Sequence, residues 1–497
     1  MMKIWISTFA FLCATWVSAE MPNVVLVMAD DIGLGDLSFY QRAAGHKKPT
    51  VETPNIDRLI SEGMRFTDAH SPASLCAPTR FSMLTGNYSY RNHKPFGVWK
   101  PEEKSGIDEG GFTTIARLAK AGGYRTAFFG KWGLGSSWLG YPIDWKKESG
   151  GALHFGFEYA LELPEGVQNI PFAFYENQTW MKLADDSVIM EIDADQTHYS
   201  TSKKHLDRGG IADSNWDPTQ AGPILAAKAV EYIASQAKDP FFIYYCSQAV
   251  HIPHAPPEEI DGIKIKGTTP GKHGDMIKEL DVQVGMLVRA LKASGVYSNT
   301  LFIFTSDNGG LSWDKEMKAA GHDTSNGLTG SKGSIMEGGH RIPFIAVWPG
   351  KIKAGSVSDE PMVSHDMVAT VATLAGQRVD RNRIKDSLNL IPLFLGGENR
   401  ERHLNLMHQS SGGPTWAIRD GDWKLILKAS RKIPDFKFKP EKLLEDGVMK
   451  PIGLYNLRTD LKEQNNLIKN PEYRQRIETM HRRCIELRRS GVPTIGK

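Results

Sequence analysis

Two apolar segments of the chain run directly into side chains that could hold a metal ion. The first is followed by Asp30 and Asp31, and the second by Asp307 and Asn308. Either pair alone would be read as a turn or a helix cap. Buried strands of open α/β sheets, however, place their functional groups at the carboxyl ends of the strands. We therefore expect one shared site, whose carboxylate and amide oxygens suit a hard cation such as calcium.

Cys76 stands at the predicted start of a short helix. Pro78 suits the first helical turn, where its missing N–H costs nothing, and Gly86 suits the helix end. The thiol would lie beside free backbone N–H groups, with the cation of Arg80 about one turn further on. Such a place holds an oxyanion well. On this basis alone, a cysteine before a helix is more often structural than catalytic.

The first 19 residues have the pattern of a secretory signal. Lys3 is followed by an apolar segment and then by small residues up to Ala19, where we expect cleavage. The apolar segment is shorter than the roughly 20 residues that span a bilayer. We therefore expect an exported protein, periplasmic or secreted, with no membrane anchor.

The composition fits a globular enzyme. The chain has 497 residues and a net charge of +3, with Lys and Arg scattered along it, so nothing indicates a nucleic-acid partner. Of its four cysteines, Cys13 leaves with the signal, and three remain. An odd number in an exported protein excludes a complete set of internal disulfides. Cys246 lies in a predicted buried strand and Cys484 in a predicted terminal helix, so Cys76 alone has a suggestive setting.

Several longer motifs follow one another along the chain. "CAPTRFSMLTG" is followed by "FFGKWGLG", "HIPHAPP", "TSDNGG" and "GSKGSIMEGGHRIP". In content and order they resemble the type I, formylglycine-dependent sulfatases, the arylsulfatase-like family of the alkaline phosphatase superfamily. That family's signature is Cys-x-Pro-Ser/Thr-Arg before a Leu/Met-rich helix, and Thr79 stands where serine is commoner. The resemblance covers essentially the whole mature chain.

The resemblance implies the fold as well. We expect an α/β protein with a large mixed, mostly parallel sheet sandwiched by helices and a small C-terminal antiparallel-sheet subdomain. The catalytic domain should cover residues 20–395, and the α+β subdomain residues 396–497. Short alternating strands in "TWAIRDGDWKLIL" and a terminal helix in "PEYRQRIETMHRRCIELRRS" fit this subdomain.

The resemblance also answers why Cys76 is there. It implies that a maturation enzyme oxidises Cys76 to Cα-formylglycine while the chain is unfolded. Hydration of the aldehyde gives two hydroxyls, of which one attacks sulfur and the other later expels sulfate. The implied ligands of one calcium ion are the modified Cys76 together with Asp30, Asp31, Asp307 and Asn308.

The remaining catalytic roles follow from the same motifs. Asp307 is also placed to take a proton from the attacking hydroxyl, and Arg80 matches the arginine that holds the formylglycine hydroxyls. Lys131 and Lys332 match lysines that bind the sulfate oxygens. His251 matches the histidine that can protonate the leaving alcohol. These roles rest on motif context, because a lone lysine or histidine is usually an exposed residue without a functional role.

One position departs from the family pattern. Many relatives have histidine where this chain has Gly133, and that histidine contacts a formylglycine hydroxyl. His322 and His340 are candidates to replace it, because they lie in nearby substrate-loop sequence.

Two segments without a regular period, 135–215 and 311–331, are assigned to the substrate pocket. Its candidate contact residues are Trp138, Trp180, His322, Asp323 and His340.

Three functions fit these observations. We favour a calcium-dependent sulfatase that acts on a sulfated small molecule or saccharide, and we expect the natural substrate to be a sulfated carbohydrate handled from a chain end. A phosphodiesterase or phosphonate monoester hydrolase of the same fold is the alternative enzyme, whereas zinc phosphatases fit poorly because Asn308 stands where a second-metal histidine is expected. The third function is a catalytically silent glycan-binding protein, against which the complete set of catalytic matches argues.

Overall fold

A ten-stranded sheet forms the centre of the protein. The structure is a computed structural model and describes residues 21–99, 103–135, 150–192, 210–411, 413–433, 436 and 439–496. The predicted signal sequence, Trp138 and parts of the segment 135–215 lie outside the described residues. In chain order the strands are β1 (Asn23–Ala29), β2 (Met64–Phe66), β3 (Ala69–His70), β4 (Arg125–Lys131), β5 (Tyr159–Leu163), β6 (Phe174–Glu176), β7 (Thr179–Met181), β8 (Ile189–Ile192), β9 (Gly210–Asp213), β10 (Phe241–Cys246), β11 (Glu259–Ile260), β12 (Ile263–Lys264), β13 (Thr300–Ser306), β14 (Phe344–Val347), β15 (Ser356–Ser358), β16 (Met362–Val363), β17 (Arg402–His403), β18 (Leu406–Gln409), β19 (Thr415–Asp420), β20 (Trp423–Ala429), β21 (Met449–Asn456) and β22 (Ile495–Gly496).

Five neighbouring strands in the middle of the large sheet run parallel, in the order β13, β1, β10, β4 and β5. Every residue of β1 is buried, as expected for a strand that is covered on both faces. Antiparallel pairs flank this parallel centre on both sides. The predicted mixed, mostly parallel sheet is therefore confirmed.

Helices cover both faces of the sheet. Val25 and Val27 of β1 belong to one apolar cluster, while Val24 and Leu26 belong to a second, because successive side chains of a strand point to opposite faces. The first cluster includes residues of α2, α5 and α6, and the second includes residues of α3, α4 and α9. The helices are α1 (Ser38–Ala43), α2 (Pro54–Glu62), α3 (Cys76–Thr85), α4 (Ile115–Ala121), α5 (Ala221–Ser235), α6 (Lys272–Ala293), α7 (Lys315–Ala319), α8 (Glu337–His340), α9 (Met367–Leu374), α10 (Ile391–Phe394) and α11 (Arg474–Ser490).

The segment 150–192 differs from the irregular chain that we predicted there. It contains β5, β6 and β7, which form one edge of the large sheet. These strands have only three to five residues each. A period-two pattern needs a longer run to stand out from the sequence, which explains why they were missed.

A four-stranded antiparallel sheet, β18 to β21, follows the predicted boundary after residue 395. Helix α11 packs on it through an apolar cluster that includes Trp416 and Cys484. This agrees with the predicted small C-terminal sheet, while the domain limits themselves remain predictions. Among the helices of the described ranges, none is long and apolar enough to cross a membrane.

Candidate active site

The two acidic strand ends meet at one edge of the sheet. Strands β1 and β13 are parallel neighbours, and Ala29 lies opposite Ser306. The side chains that follow are therefore brought together and buried. The backbone N–H of Asp31 donates to Oδ1 of Asp307 at 3.1 Å, and Nδ2 of Asn308 donates to Oδ1 of Asp31 at 2.8 Å.

Each of the three carboxylates has its own cation. Lys131 is the last residue of β4, Arg80 lies in α3, and Lys332 lies in the loop before α8. The nitrogen–oxygen distances are 2.6 to 2.8 Å, for the pairs Lys131–Asp30, Lys332–Asp31 and Arg80–Asp307. Arg80 also donates to the backbone carbonyl of Lys131 at 2.8 Å. Sequence motifs from five parts of the chain thus form one charged cluster.

Cys76 is the first residue of α3, as predicted, and Gly86 ends the helix with a left-handed φ of 70°. The Sγ atom of Cys76 and carboxylate oxygens of Asp30 and Asp307 all lie within 4.8 Å of one another. Burial raises the pKa of the Cys76 thiol, and the nearby lysines only partly oppose this. The thiol is therefore protonated at neutral pH.

The loop before Cys76 is held by the C-terminal sheet. The backbone N–H of Ser74 donates to the carbonyl of Gln409 in β18 at 3.0 Å. One residue earlier in β18, Nδ1 of His408 lies 3.1 Å from the carbonyl of Ser71. The position of Cys76 thus depends on contacts with both parts of the chain.

Two of the buried carboxyls have opposite electrostatic surroundings. Burial would raise the pKa of Asp30, but the cation of Lys131, with smaller contributions from His251 and Arg80, holds it well below its usual range. Burial, and next the negative charge of Asp30, raise the pKa of Asp307 to about 7. Of these two carboxyls, Asp307 is therefore the one that loses its proton less readily.

Two oxygen atoms of this cluster have unused capacity. Oδ1 of Asp30 and Oδ1 of Asn308 are buried and have no hydrogen-bond partner in the described part of the chain. A buried polar atom without a partner is costly. Oxygen atoms are the ligands that calcium prefers, so the donor set fits a calcium ion.

His251 lies in the loop after β10, at the rim of the cluster. Its Nε2 is 3.8 Å from Oδ2 of Asp31, and its Nδ1 is 2.6 Å from the carbonyl of Ile252. Burial, followed by the charges of Lys332 and Lys131, lowers its pKa to about 4. The ring is therefore neutral, and Nδ1 donates to the carbonyl, which leaves the Nε2 lone pair on the side of Asp31.

A buried cluster of Gln248, Glu279 and Gln283 connects the His251 loop to α6. The backbone N–H of His251 donates to the carbonyl of Gln248 at 3.1 Å. The side-chain amides of Gln248 and Gln283 both donate to Oε1 of Glu279 at 2.9 Å. Gly222 lies against the same oxygen, because an added Cβ there would be 1.8 Å from it. Sequence reasoning missed these residues, because no motif marks them.

Gly133 lies beside Arg80 and Lys131. A Cβ placed there would lie 3.4 Å from Cδ of Arg80 and 3.7 Å from Cε of Lys131, and its φ is +70°. A histidine in relatives would therefore reach this cluster. In the described ranges, neither candidate replacement is available for that role, because His322 and His340 are engaged elsewhere.

The predicted substrate residues His322 and Asp323 lie in the wall of a neighbouring cavity of about 390 Å³. The ring nitrogens of His322 lie 2.7 Å from Oδ1 of Asp36 and 2.6 Å from Oγ1 of Thr50. Asp323 accepts hydrogen bonds from the backbone N–H groups of residues 325 and 327. Both side chains thus shape the loop. Trp180 donates to a carboxylate from β9 at 3.1 Å.

His340 is fully buried in a separate cluster. Its Nδ1 lies 3.0 Å from Nδ1 of His70, and its Nε2 accepts from Nζ of Lys424 at 2.9 Å. Since Nε2 is an acceptor, Nδ1 carries the proton and donates to His70. His340 therefore joins α8 and β3 to Lys424 of the C-terminal sheet.

Comparison with known proteins gives a consistent result. The sulfatase family model matches residues 22–377. An N-acetylgalactosamine-6-O-sulfatase of Bacteroides thetaiotaomicron is 30% identical over 486 residues, which cover 92% of this chain and 91% of that protein. Arylsulfatase A of Bos taurus is 32% identical over 441 residues, covering 85% and 78%. A solved Bacteroides thetaiotaomicron sulfatase from work on glycosaminoglycan metabolism has a TM-score of 0.76 and 26% identity, covering 95% of this chain and 100% of that one.

Proposed function

This chain belongs to the sulfatase family and is a sulfate ester hydrolase, and from that premise we propose its cofactors and substrate class. The nucleophile is a Cα-formylglycine derived from Cys76, one calcium ion lies beside it, and the substrate is a sulfated carbohydrate. The observation that carries this proposal is the buried cluster of three carboxylates and three cations, in which Asp30 and Asp307 lie beside Cys76.

The setting of Cys76 favours a modified nucleophile over a free thiol. Catalytic cysteines have a lowered pKa, because the thiolate is the reactive form, whereas burial raises the pKa of Cys76. When hydrated, formylglycine supplies one hydroxyl to attack sulfur and a second to expel sulfate. Cys76 is only 3% exposed, so a maturation enzyme would have to reach it before the chain folds.

The oxygen-rich end of β1 and β13 supports one calcium ion. Asp30, Asp31, Asp307, Asn308 and the modified Cys76 would hold it. The ion supplies a Lewis acid beside the nucleophile. Its positive charge would also favour the ionised form of Asp307, so that this carboxylate can accept a proton from the attacking hydroxyl.

The cations are placed to bind the sulfate group and to orient the nucleophile. Lys131 and Lys332 each present an ammonium group beside Cys76, and both lower the pKa of its thiol. Such preplaced charges stabilise the negative charge that develops on the sulfate oxygens. Arg80 is fixed by its bonds to Asp307 and to a backbone carbonyl, so it can orient the attacking hydroxyl.

His251 is proposed as the general acid. A sugar alkoxide is a poor leaving group, so protonation of the ester oxygen matters for a carbohydrate sulfate. In the free protein the ring is neutral. The negative charge of a bound sulfate would oppose the effect of Lys131 and Lys332 and favour the protonated ring.

The carbohydrate substrate rests on the relatives, and export rests on the sequence. The relative with 30% identity is named as acting on 6-sulfated N-acetylgalactosamine, so this sugar is the first to test. The N-terminal pattern supports secretion or transport to the periplasm. A formylglycine-generating enzyme in the same host is the implied maturation partner.

The test begins with protein produced together with a formylglycine-generating enzyme. Mass spectrometry of the peptide that contains residue 76 should show the aldehyde. Activity is then measured on 4-nitrophenyl sulfate, 6-sulfated N-acetylgalactosamine and a phosphodiester. We expect turnover of both sulfate esters, loss of turnover in Cys76→Ala, and no loss in the control Cys484→Ala.

Three results would contradict the proposal. Full activity with an unmodified thiol excludes formylglycine, and faster turnover of the phosphodiester favours the alternative enzyme. Binding of sulfated sugars without any turnover by the matured protein favours the silent glycan-binding protein.

A further inference from the structure

The cavity of about 390 Å³ lies directly beside the catalytic loop. Leu311 and Ser331 line it, and Ser331 immediately precedes Lys332. The backbone N–H of Lys332 donates to the carbonyl of Gly310 at 3.0 Å. The cavity walls are thus joined to the two segments that carry Asn308 and Lys332. Its volume lies within the range of about 300–1,000 Å³ that is usual for small-molecule sites.

The lining of this cavity is polar and well supported. The hydroxyls of Ser312 and Ser331 lie 3.1 Å apart. His273 lines the cavity, is 1% exposed, and its Nε2 has no hydrogen-bond partner among the residues that the structure describes. Asp314 fixes one wall by accepting from the backbone N–H groups of His273 and Met317 at 3.2 and 2.9 Å. Hydroxyl and imidazole groups of this kind suit the hydroxyls of a sugar.

The loop that lines the cavity also carries an exposed indole. Trp313 lies between Ser312 and Asp314, which both line the cavity, and 61% of its surface is exposed. The other large apolar residues that are strongly exposed in the described ranges are aliphatic. A single exposed apolar side chain needs no explanation. An exposed aromatic residue in a loop that lines a polar cavity does, because aromatic faces stack on the apolar face of a sugar ring.

We infer that this cavity and Trp313 bind a second sugar ring, so that the preferred substrate is a sulfated oligosaccharide rather than a monosaccharide. The inference rests on the proposed function and extends it from the sulfated ring to its neighbour. Ser312, Ser331 and His273 bond to hydroxyls of this ring, and Trp313 covers one of its faces.

The test compares two substrates that share the same reacting sugar. One is 6-sulfated N-acetylgalactosamine, and the other is a tetrasaccharide that ends in this sugar. For Trp313→Ala we expect the KM for the tetrasaccharide to rise roughly five- to tenfold with kcat unchanged. The KM for the monosaccharide and for 4-nitrophenyl sulfate should stay the same, and Trp313→Phe should restore most of the tetrasaccharide affinity.

Leu395→Ala is the matched control, because Leu395 is 54% exposed. This variant should leave the KM for both sugars unchanged. Equal KM values of the parent for the two sugars, or an unchanged tetrasaccharide KM in Trp313→Ala, would overturn the second sugar site while the proposed function stands. If the parent hydrolyses 4-nitrophenyl sulfate but neither sugar, the carbohydrate substrate itself is wrong.

Discussion

Replacing Glu279 by glutamine should stabilise the protein in a way that depends on pH. Glu279 is fully buried and has no charged partner among the described residues; its Oε1 accepts only from the amides of Gln248 and Gln283. Burial raises its pKa from the ordinary 4.5 to about 8. The hydroxyl of Tyr245 is linked to this cluster because it donates to Oε1 of Gln283 at 2.9 Å.

The sign of the effect follows from the proton count in each state. Between about pH 4.5 and 8 the unfolded chain loses the Glu279 proton while the folded protein keeps it. The stability of the parent protein therefore falls as the pH rises through this range. At ~1.4 kcal/mol for each pKa unit, the loss has an upper limit of roughly 5 kcal/mol at pH 8. Glutamine keeps the shape and the accepting oxygen but cannot ionise.

The assay is chemical denaturation of both proteins at pH 5 and at pH 8. Glu279→Gln should unfold at higher denaturant concentration than the parent at pH 8, with a much smaller difference at pH 5, and kcat should be retained because Gln248 keeps its partner. Glu486→Gln, an exposed change on α11, is the control and should show no such dependence. An equal difference at both pH values would refute the reasoning.

Three further outcomes concern the catalytic cluster. Asp31→Asn should lower kcat/KM by at least about tenfold and reduce the gain in melting temperature on adding calcium; an unchanged calcium gain would argue against this ligand. His251→Ala should lower kcat on a sugar sulfate by roughly 10²–10⁴-fold and on 4-nitrophenyl sulfate much less, so equal losses would exclude the general-acid role. Gly133→Ala should cost about 1 kcal/mol of stability through its positive φ but retain kcat/KM, since the nearest neighbour of the new Cβ, Cδ of Arg80 at 3.4 Å, is at an ordinary van der Waals distance. Gly295→Ala shares the φ, at +73°, and has open space around it, so it should lose a similar amount of stability.

The acids and the helix start of the charged cluster around Cys76 could be predicted from the sequence, because short local patterns mark each of them. The strand ends at Asp30 and Asp307 follow from apolar runs that stop at acids, and α3 follows from Pro78 and Gly86. Their convergence follows from the general rule for strand ends in α/β sheets. The roles of Arg80, Lys131 and Lys332 came only from the family resemblance, and the pairing of each with a particular acid was not predicted.

The parts that sequence reasoning missed depend on contacts between distant residues. Nothing around Glu279 indicates that it faces two glutamine amides. His340 lies in a motif of the substrate loop, yet it is buried and bonded to Lys424 of the C-terminal sheet. Trp313 was not predicted as a substrate contact. Its exposure is what makes it notable, and exposure cannot be read from the local sequence.

The hydrogen bond between Ser74 and Gln409 limits how the C-terminal sheet can be exchanged between related proteins. A strand from the last fifth of the chain holds the backbone two residues before Cys76. The small sheet is therefore not an accessory that recombination can exchange freely. A chimaera that takes its C-terminal sheet from another relative must preserve the backbone path of β18, or the transplanted part will misplace a residue that it never touches.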